Sequence, residues 1–173
     1  MKTMKKILAL ALAGVMALAL LTGCGTGGSA SHKSIAKAME DYDRGVENNS
    51  GITYTSSAEL DAKLQKLAAD PRFETVVKAF YTNDTLPANL SDSVPAGKVV
   101  YLYCGKYDKD AGKQAINLNA HSACINTYTS HTPPSLAAKR QIGLITTSCT
   151  DTNGKEVKVR FAVVVSDAPT TAP

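Results

Sequence analysis

The dipeptide Asn153-Gly154 constrains the fold of this chain more than any other feature, because Asn-Gly is the pair favoured in a two-residue type I′ turn and commits its flanks to a β-hairpin. Counting outward from such a turn sets Thr152 opposite Lys155. Thr146 then meets Phe161, Leu144 meets Val163 and Ile142 meets Val165, all on one face. Cys149 with Lys158 and Thr147 with Arg160 fall on the other face. The expectation is a closing hairpin with one apolar side and one charged side.

A second strand is expected over residues 98–104. Val99, Tyr101 and Tyr103 point one way and Val100, Leu102 and Cys104 the other. Both sides are apolar, as in a central strand covered on each face. Residues 52–55 read as a short extended piece, residues 82–97 as a long surface loop rich in turn formers, and residues 105–112 as a charged turn.

Helical spacing governs much of the remainder. Ile35, Met39, Tyr42 and Val46 share one face of a helix that Ser34 caps and that fails at residues 48–51. Ser56 and Glu59 fit a capping box ahead of the stripe Leu60, Leu64 and Leu67. Asp70 and Pro71 then mark a break and a restart, with Phe73, Val76, Val77 and Phe80 on the next buried face. Ile116, Ala120, Cys124 and Tyr128 predict a helix over 113–128, ended by Pro133 and Pro134, and residues 135–139 add one short turn. Helices followed by a strand, a helix and a hairpin define an α+β domain, its helices packed on a small antiparallel or mixed sheet. No internal repeat is present.

The first 23 residues are arranged as an export signal, with Lys2, Lys5 and Lys6 ahead of an apolar run of 15 residues over 7–21. A helix needs about 20 apolar residues to cross a bilayer, so the run is short for a permanent span. Its exit, Leu21-Thr22-Gly23-Cys24, resembles the lipobox of bacterial lipoproteins. That resemblance implies a diacylglyceryl group on the Cys24 sulfur and cleavage between Gly23 and Cys24. It makes Cys24 the lipid attachment site and the membrane a partner through that lipid, on the extracytoplasmic face. Residues 25–34, rich in Gly and Ser, read as a flexible tether and include His32, which is given no role.

The expected organisation is a signal peptide over 1–23, lipidated cysteine and tether over 24–34, one globular domain over 35–167 and a disordered tail over 168–173. Three of the 19 basic residues leave with the leader, so 16 face 15 acidic residues and the footprint of a nucleic-acid binder is missing. With Cys24 on lipid, Cys104, Cys124 and Cys149 remain, and at most one disulfide can form within a chain.

Several residue arrangements have the composition of a reactive or ligand-binding site. His121 and Cys124, three apart on the expected helix, pair as metal ligands if His131 or Cys149 completes the set. Cys124 or Cys149 with His131 is a nucleophile and base combination. Tyr101, Tyr103 and Tyr107 offer rings for a sugar or a peptide. None has the spacing of an established site, so no residue is assigned to catalysis, to a cofactor or to a metal.

The tail is also similar to the end of the CAP superfamily (cysteine-rich secretory, antigen 5 and pathogenesis-related proteins). The similarity runs from Ile125, in place of the usual tryptophan, through Ser130, His131, Thr132, Pro133 and Leu136 to Ile142-Gly143 and the hairpin. Residues 57–80, with Asp-Pro between two helices, echo the family's opening. The resemblance implies an α/β/α sandwich. Cation-binding members use two histidines and two glutamates, whereas this chain has no glutamate between Glu74 and Glu156. A degenerate cleft is the implication.

The sequence thus leads to an anchored, extracytoplasmic, non-enzymatic domain that binds or scaffolds an envelope protein or a small ligand. The alternative is a degenerate CAP-like domain or a Cys/His-dependent hydrolase. A deep pocket holding His131 beside Cys124 or Cys149 favours chemistry, and shallow grooves favour binding.

Overall fold

The computed structural model describes residues 30–87, 90–127 and 132–168. The leader, Cys24 and His131 lie outside the described residues, as does the expected tail apart from Ala168, whose amide donates to Gly97 O at 2.8 Å.

The fold is α+β. Helix α1 (Ala30–Val46) leads into β1 (Thr53–Ser56), α2 (Ala58–Ala68) and α3 (Arg72–Asn83). After a 3-10 turn at Leu90–Ser93 come β2 (Lys98–Lys106), α4 (Ala111–Leu118), β3 (His121–Cys124), β4 (Lys139–Thr150) and β5 (Glu156–Asp167). The five strands form one mixed sheet in the order β1-β4-β5-β2-β3, in which only the β1–β4 pair is parallel.

Each face of the sheet carries its own core. Leu60, Leu64 and Leu67 of α2 and Phe73, Val77 and Phe80 of α3 pack on Val100, Leu102, Ile145, Phe161 and Val163. Phe161 receives Phe73 and Phe80 edge-on, with ring centroids 5.4 and 6.3 Å away. On the reverse face Ile35 and Met39 of α1 and Ala115 and Leu118 of α4 cover Tyr54, Tyr103, Ile142, Leu144, Ala162 and Val164. Helix α2 lies so close to β4 that a Cβ on Gly143 would sit 2.3 Å from Leu60 Cβ.

The hairpin forms, one residue out of the expected register. A type I′ turn needs positive φ at both central residues, but only Gly154 has it, at +76°. Asp151 O accepts from Gly154 N at 3.1 Å, and the Asp151 carboxylate accepts from the amides of Asn153 and Lys155. The loop therefore has three residues, a type I turn closed by a left-handed glycine, and Asp151 at its first position holds it. Leu144 pairs with Ala162 and Ile142 with Val164.

Because side chains alternate, that single step moves Phe161, Val163 and Val165 to the face opposite Ile142 and Leu144. Both faces are buried, so the hydrophobic pattern tolerates either register. Arg160, expected on a charged outer face, is 5% exposed.

Other boundaries also move. Helix α1 starts at Ala30, so residues 30–34 belong to a helix rather than to the tether. The cap of α2 is Ser57, whose hydroxyl accepts from Leu60 N, while Ser56 ends β1. Helix α4 stops at Leu118, and His121, Ser122, Ala123 and Cys124 are extended beside β2. The short helical turn expected at 135–139 is absent, and Lys139 already belongs to β4. In the 113–128 stretch the expected stripe residue Ile116 is exposed, whereas Gln114, Ala115 and Leu118 face inward. Gln114 stays buried because its Oε1 accepts from Asp108 N and its Nε2 donates to Lys106 O.

Candidate functional site

The residues singled out for chemistry are dispersed. His121 and Cys124 sit on a strand, where three positions apart means opposite faces. His121 lies on the side of α3, its Nδ1 2.7 Å from Asp84 Oδ1 and its ring 5.3 Å from that of Tyr81. Cys124 lies on the side of Tyr101, with its Sγ 3.6 Å from Asn126 Oδ1. Cys149 is buried in the core beneath α2 and α3. No three His, Cys, Asp or Glu side chains among the described residues are placed to hold a metal ion.

All three described cysteines are free thiols. Burial pushes Cys104 up to about 12, with Cys149 adding to the effect, and burial also raises Cys124 and Cys149. A nucleophilic cysteine needs the opposite shift, toward thiolate at neutral pH. The tyrosines are likewise engaged. Tyr101 and Tyr103 stack on each other at 6.2 Å, and the Tyr101 hydroxyl donates to Pro134 O.

The densest charge cluster the sequence did not disclose lies between α1 and the parallel strand pair. Arg140 donates from Nη1 to Asp43, from Nη2 to Glu47 and from Nε to Ala137 O, and its guanidinium lies over the Tyr54 ring. The Tyr54 hydroxyl donates to Asp43 Oδ2 at 2.6 Å, and Glu40 accepts from Tyr54 N. Burial drives Asp43 up, against the pull of Tyr54 and Arg140. Every group finds a partner, so the cluster reads as a clamp fastening α1 to β1 and β4 rather than as reacting chemistry.

What remains open is the edge of β4. Strand β1 pairs only with Lys139, Arg140, Gln141 and Ile142, after which the chain turns away into α2. Ser57 N donates to Ile142 O at 2.9 Å and Asp61 Oδ1 accepts from Leu144 N at 2.7 Å, so the even-numbered residues of β4 direct their polar groups away from β5. Thr146, Ser148 and Thr150 continue that row. Among the described residues no backbone group pairs with theirs on this side.

Beside the row lies a half-open groove of about 430 Å³, bounded by Thr147, Ser148 and Thr150 and by Ala68, Asp70, Pro71, Phe73 and Glu74 of the α2–α3 elbow, with Glu156 at its end. The elbow is held by Asp70, which accepts from Arg72 N and from its guanidinium; Arg72 keeps the Asp70 carboxyl down at about 2. Glu74 and Glu156 add negative charge. Neither histidine nor cysteine lines this groove. The sequence signalled the elbow through Asp70-Pro71 and a short extended piece over 52–55, but not that this piece pairs with the start of β4 and leaves the rest of that edge uncovered.

Comparison with protein-family models, with curated proteins and with solved structures returns no match. The similarity of the tail to CAP proteins therefore rests on the residues quoted for it, of which Ser130 and His131 lie outside the described residues.

Proposed function

We propose that this chain is a lipid-anchored extracytoplasmic binding protein, held to the membrane through Cys24, whose groove along β4 receives an extended polypeptide segment as an added strand. The observation that carries the binding half is the row Thr146, Ser148 and Thr150, with outward backbone groups beside a half-open groove. An extended chain laid there meets the backbone donors and acceptors that β1 leaves unused, and gains main-chain hydrogen bonds without a dedicated pocket for each side chain. Glu74 and Glu156 favour a segment carrying lysine or arginine. An uncovered strand edge is otherwise a hazard, which proteins blunt with charge or cover.

The anchoring half is supported by the leader and by Leu21-Thr22-Gly23-Cys24. No described helix is long and apolar enough to cross a membrane.

The test uses native membranes carrying the full chain with a photo-cross-linker at Thr147. A protein captured by the parent and lost in Ser148→Pro, which removes one outward N–H on an open edge, supports strand addition. Capture unaffected by Ser148→Pro, or no capture above background, refutes it. Mass spectrometry of the mature N-terminus checks the anchor separately, and an unmodified start at another residue removes it.

A further inference from the structure

Resting on the lipid-anchored reading, we infer that the hairpin end of the domain, around Lys158, Tyr107 and Arg160, is the surface that lies on the anionic phosphates of membrane headgroups. Helix α1 begins at Ala30, six residues after Cys24. Six residues reach at most about 20 Å even when fully extended. The start of α1 is fixed on the sheet, because His32 Nδ1 lies 2.7 Å from Asp61 Oδ2 while Asp61 Oδ1 holds Leu144 N. Further along, Asp43 reaches Arg140 and Tyr54. Helix α1 therefore runs against β4, from the level of Leu144 to that of Arg140, and its N-terminus points toward the hairpin end. A connection of at most that length, joined to the end of α1 nearest the hairpin, keeps this end of the domain beside the bilayer.

The chemistry there suits phosphate. Lys158 Nζ lies 4.2 Å and Arg160 Cζ 5.1 Å from the centroid of the Tyr107 ring, so two cations share one aromatic. Arg160 is 5% exposed, and its Nε and Nη1 have no hydrogen-bond partner among the described residues. Among the described residues no carboxylate forms an ion pair with this guanidinium, and a buried cation without a counter-charge is stabilised by an incoming anion. Lys106, Lys109, Lys113 and Lys155 are exposed at the same end. Of the four nearby carboxylates, Asp108, Asp110 and Asp151 accept from backbone amides of their own turns, and Glu156 borders the groove beside β4. Tyrosine with lysine is also the pairing found where protein meets the headgroup layer.

Each lysine brought near an anionic surface strengthens contact on the order of fivefold. The experiment places the mature lipidated protein in nanodiscs of phosphatidylcholine alone, or of phosphatidylcholine with phosphatidylglycerol, and follows lysine acetylation by mass spectrometry. Lys106, Lys155 and Lys158 are expected to react several-fold more slowly in the anionic discs, with Lys139 at the far end unchanged and the protection lost in high salt. Lys106→Glu combined with Lys158→Glu should free Lys155. Equal labelling in the two discs, or protection centred on Lys139, overturns the inference. The intact mass of the disc-bound chain separates the failures: lipid on Cys24 without protection sinks only the headgroup surface, while absence of lipid sinks the anchor.

Discussion

Replacing Asp61 by alanine tests how the two faces of the sheet are joined. Asp61 is 7% exposed, and its two oxygens serve Leu144 N and His32 Nδ1. Alanine leaves the Leu144 amide without a partner next to the α2 contact, which costs about 1–3 kcal/mol. Loss of the partly buried His32 link adds roughly 0.5–1 kcal/mol. The expected total is about 1.5–4 kcal/mol. With a urea dependence of about 2 kcal/mol/M for a domain of this size, the midpoint falls by about 0.7–2 M. Asp61→Asn retains an acceptor for Leu144 while dropping the charge, so its loss should stay near the smaller share. A double-mutant cycle with His32→Ala should return that share as coupling, and amide exchange at Leu144 should speed up in Asp61→Ala alone. A change below about 0.5 kcal/mol with Leu144 protection intact would refute both the bond and the placement of α1 drawn from it.

Gly154→Ala forces a side chain into positive φ at the hairpin turn and should cost about 1–2 kcal/mol by thermal or urea unfolding; a neutral effect would mean that the turn differs from the one described. In the native protein at mildly alkaline pH an alkylating reagent should modify Cys124 before the buried Cys104, whose thiol is held near 12, and the reverse order by peptide mapping would contradict the packing. Asp70 has a lowered pKa, so its pairing with Arg72 contributes above the unfolded carboxylate value near 3.9 and is lost as pH falls through about 2. Carboxyl titration by NMR should show Asp70 moving up toward the ordinary range in Arg72→Ala.

The strand over residues 98–104 was legible because both of its alternating sides are apolar, as a central strand covered on each face requires. Helices α2 and α3 were legible because Leu60, Leu64, Leu67, Phe73, Val77 and Phe80 recur at a single helical period around an Asp-Pro break. The stretch 113–128 misled the same reasoning. Cys124 satisfies a helical stripe counted from Ile116, but a four-residue strand beside β2 satisfies its backbone instead, and pairing with a neighbour distant in sequence is invisible to local periodicity. The candidate groove was hidden for a related reason, since its open edge depends on where β1 stops along β4.

By itself the amino-acid sequence determined the ingredients: an α+β complement of elements and a closing hairpin at Asn153-Gly154. Tertiary structure decided the register of that hairpin, because one face of β4 and β5 packs under α2 and α3 and the other under α1 and α4, leaving no polar face to reject a one-residue step. It also decided that Arg160 is buried and that, among the described residues, no strand pairs with Thr146, Ser148 and Thr150 on the side away from β5. Those outcomes depend on which elements meet across long separations, and such meetings are set by packing of the whole rather than by any segment alone.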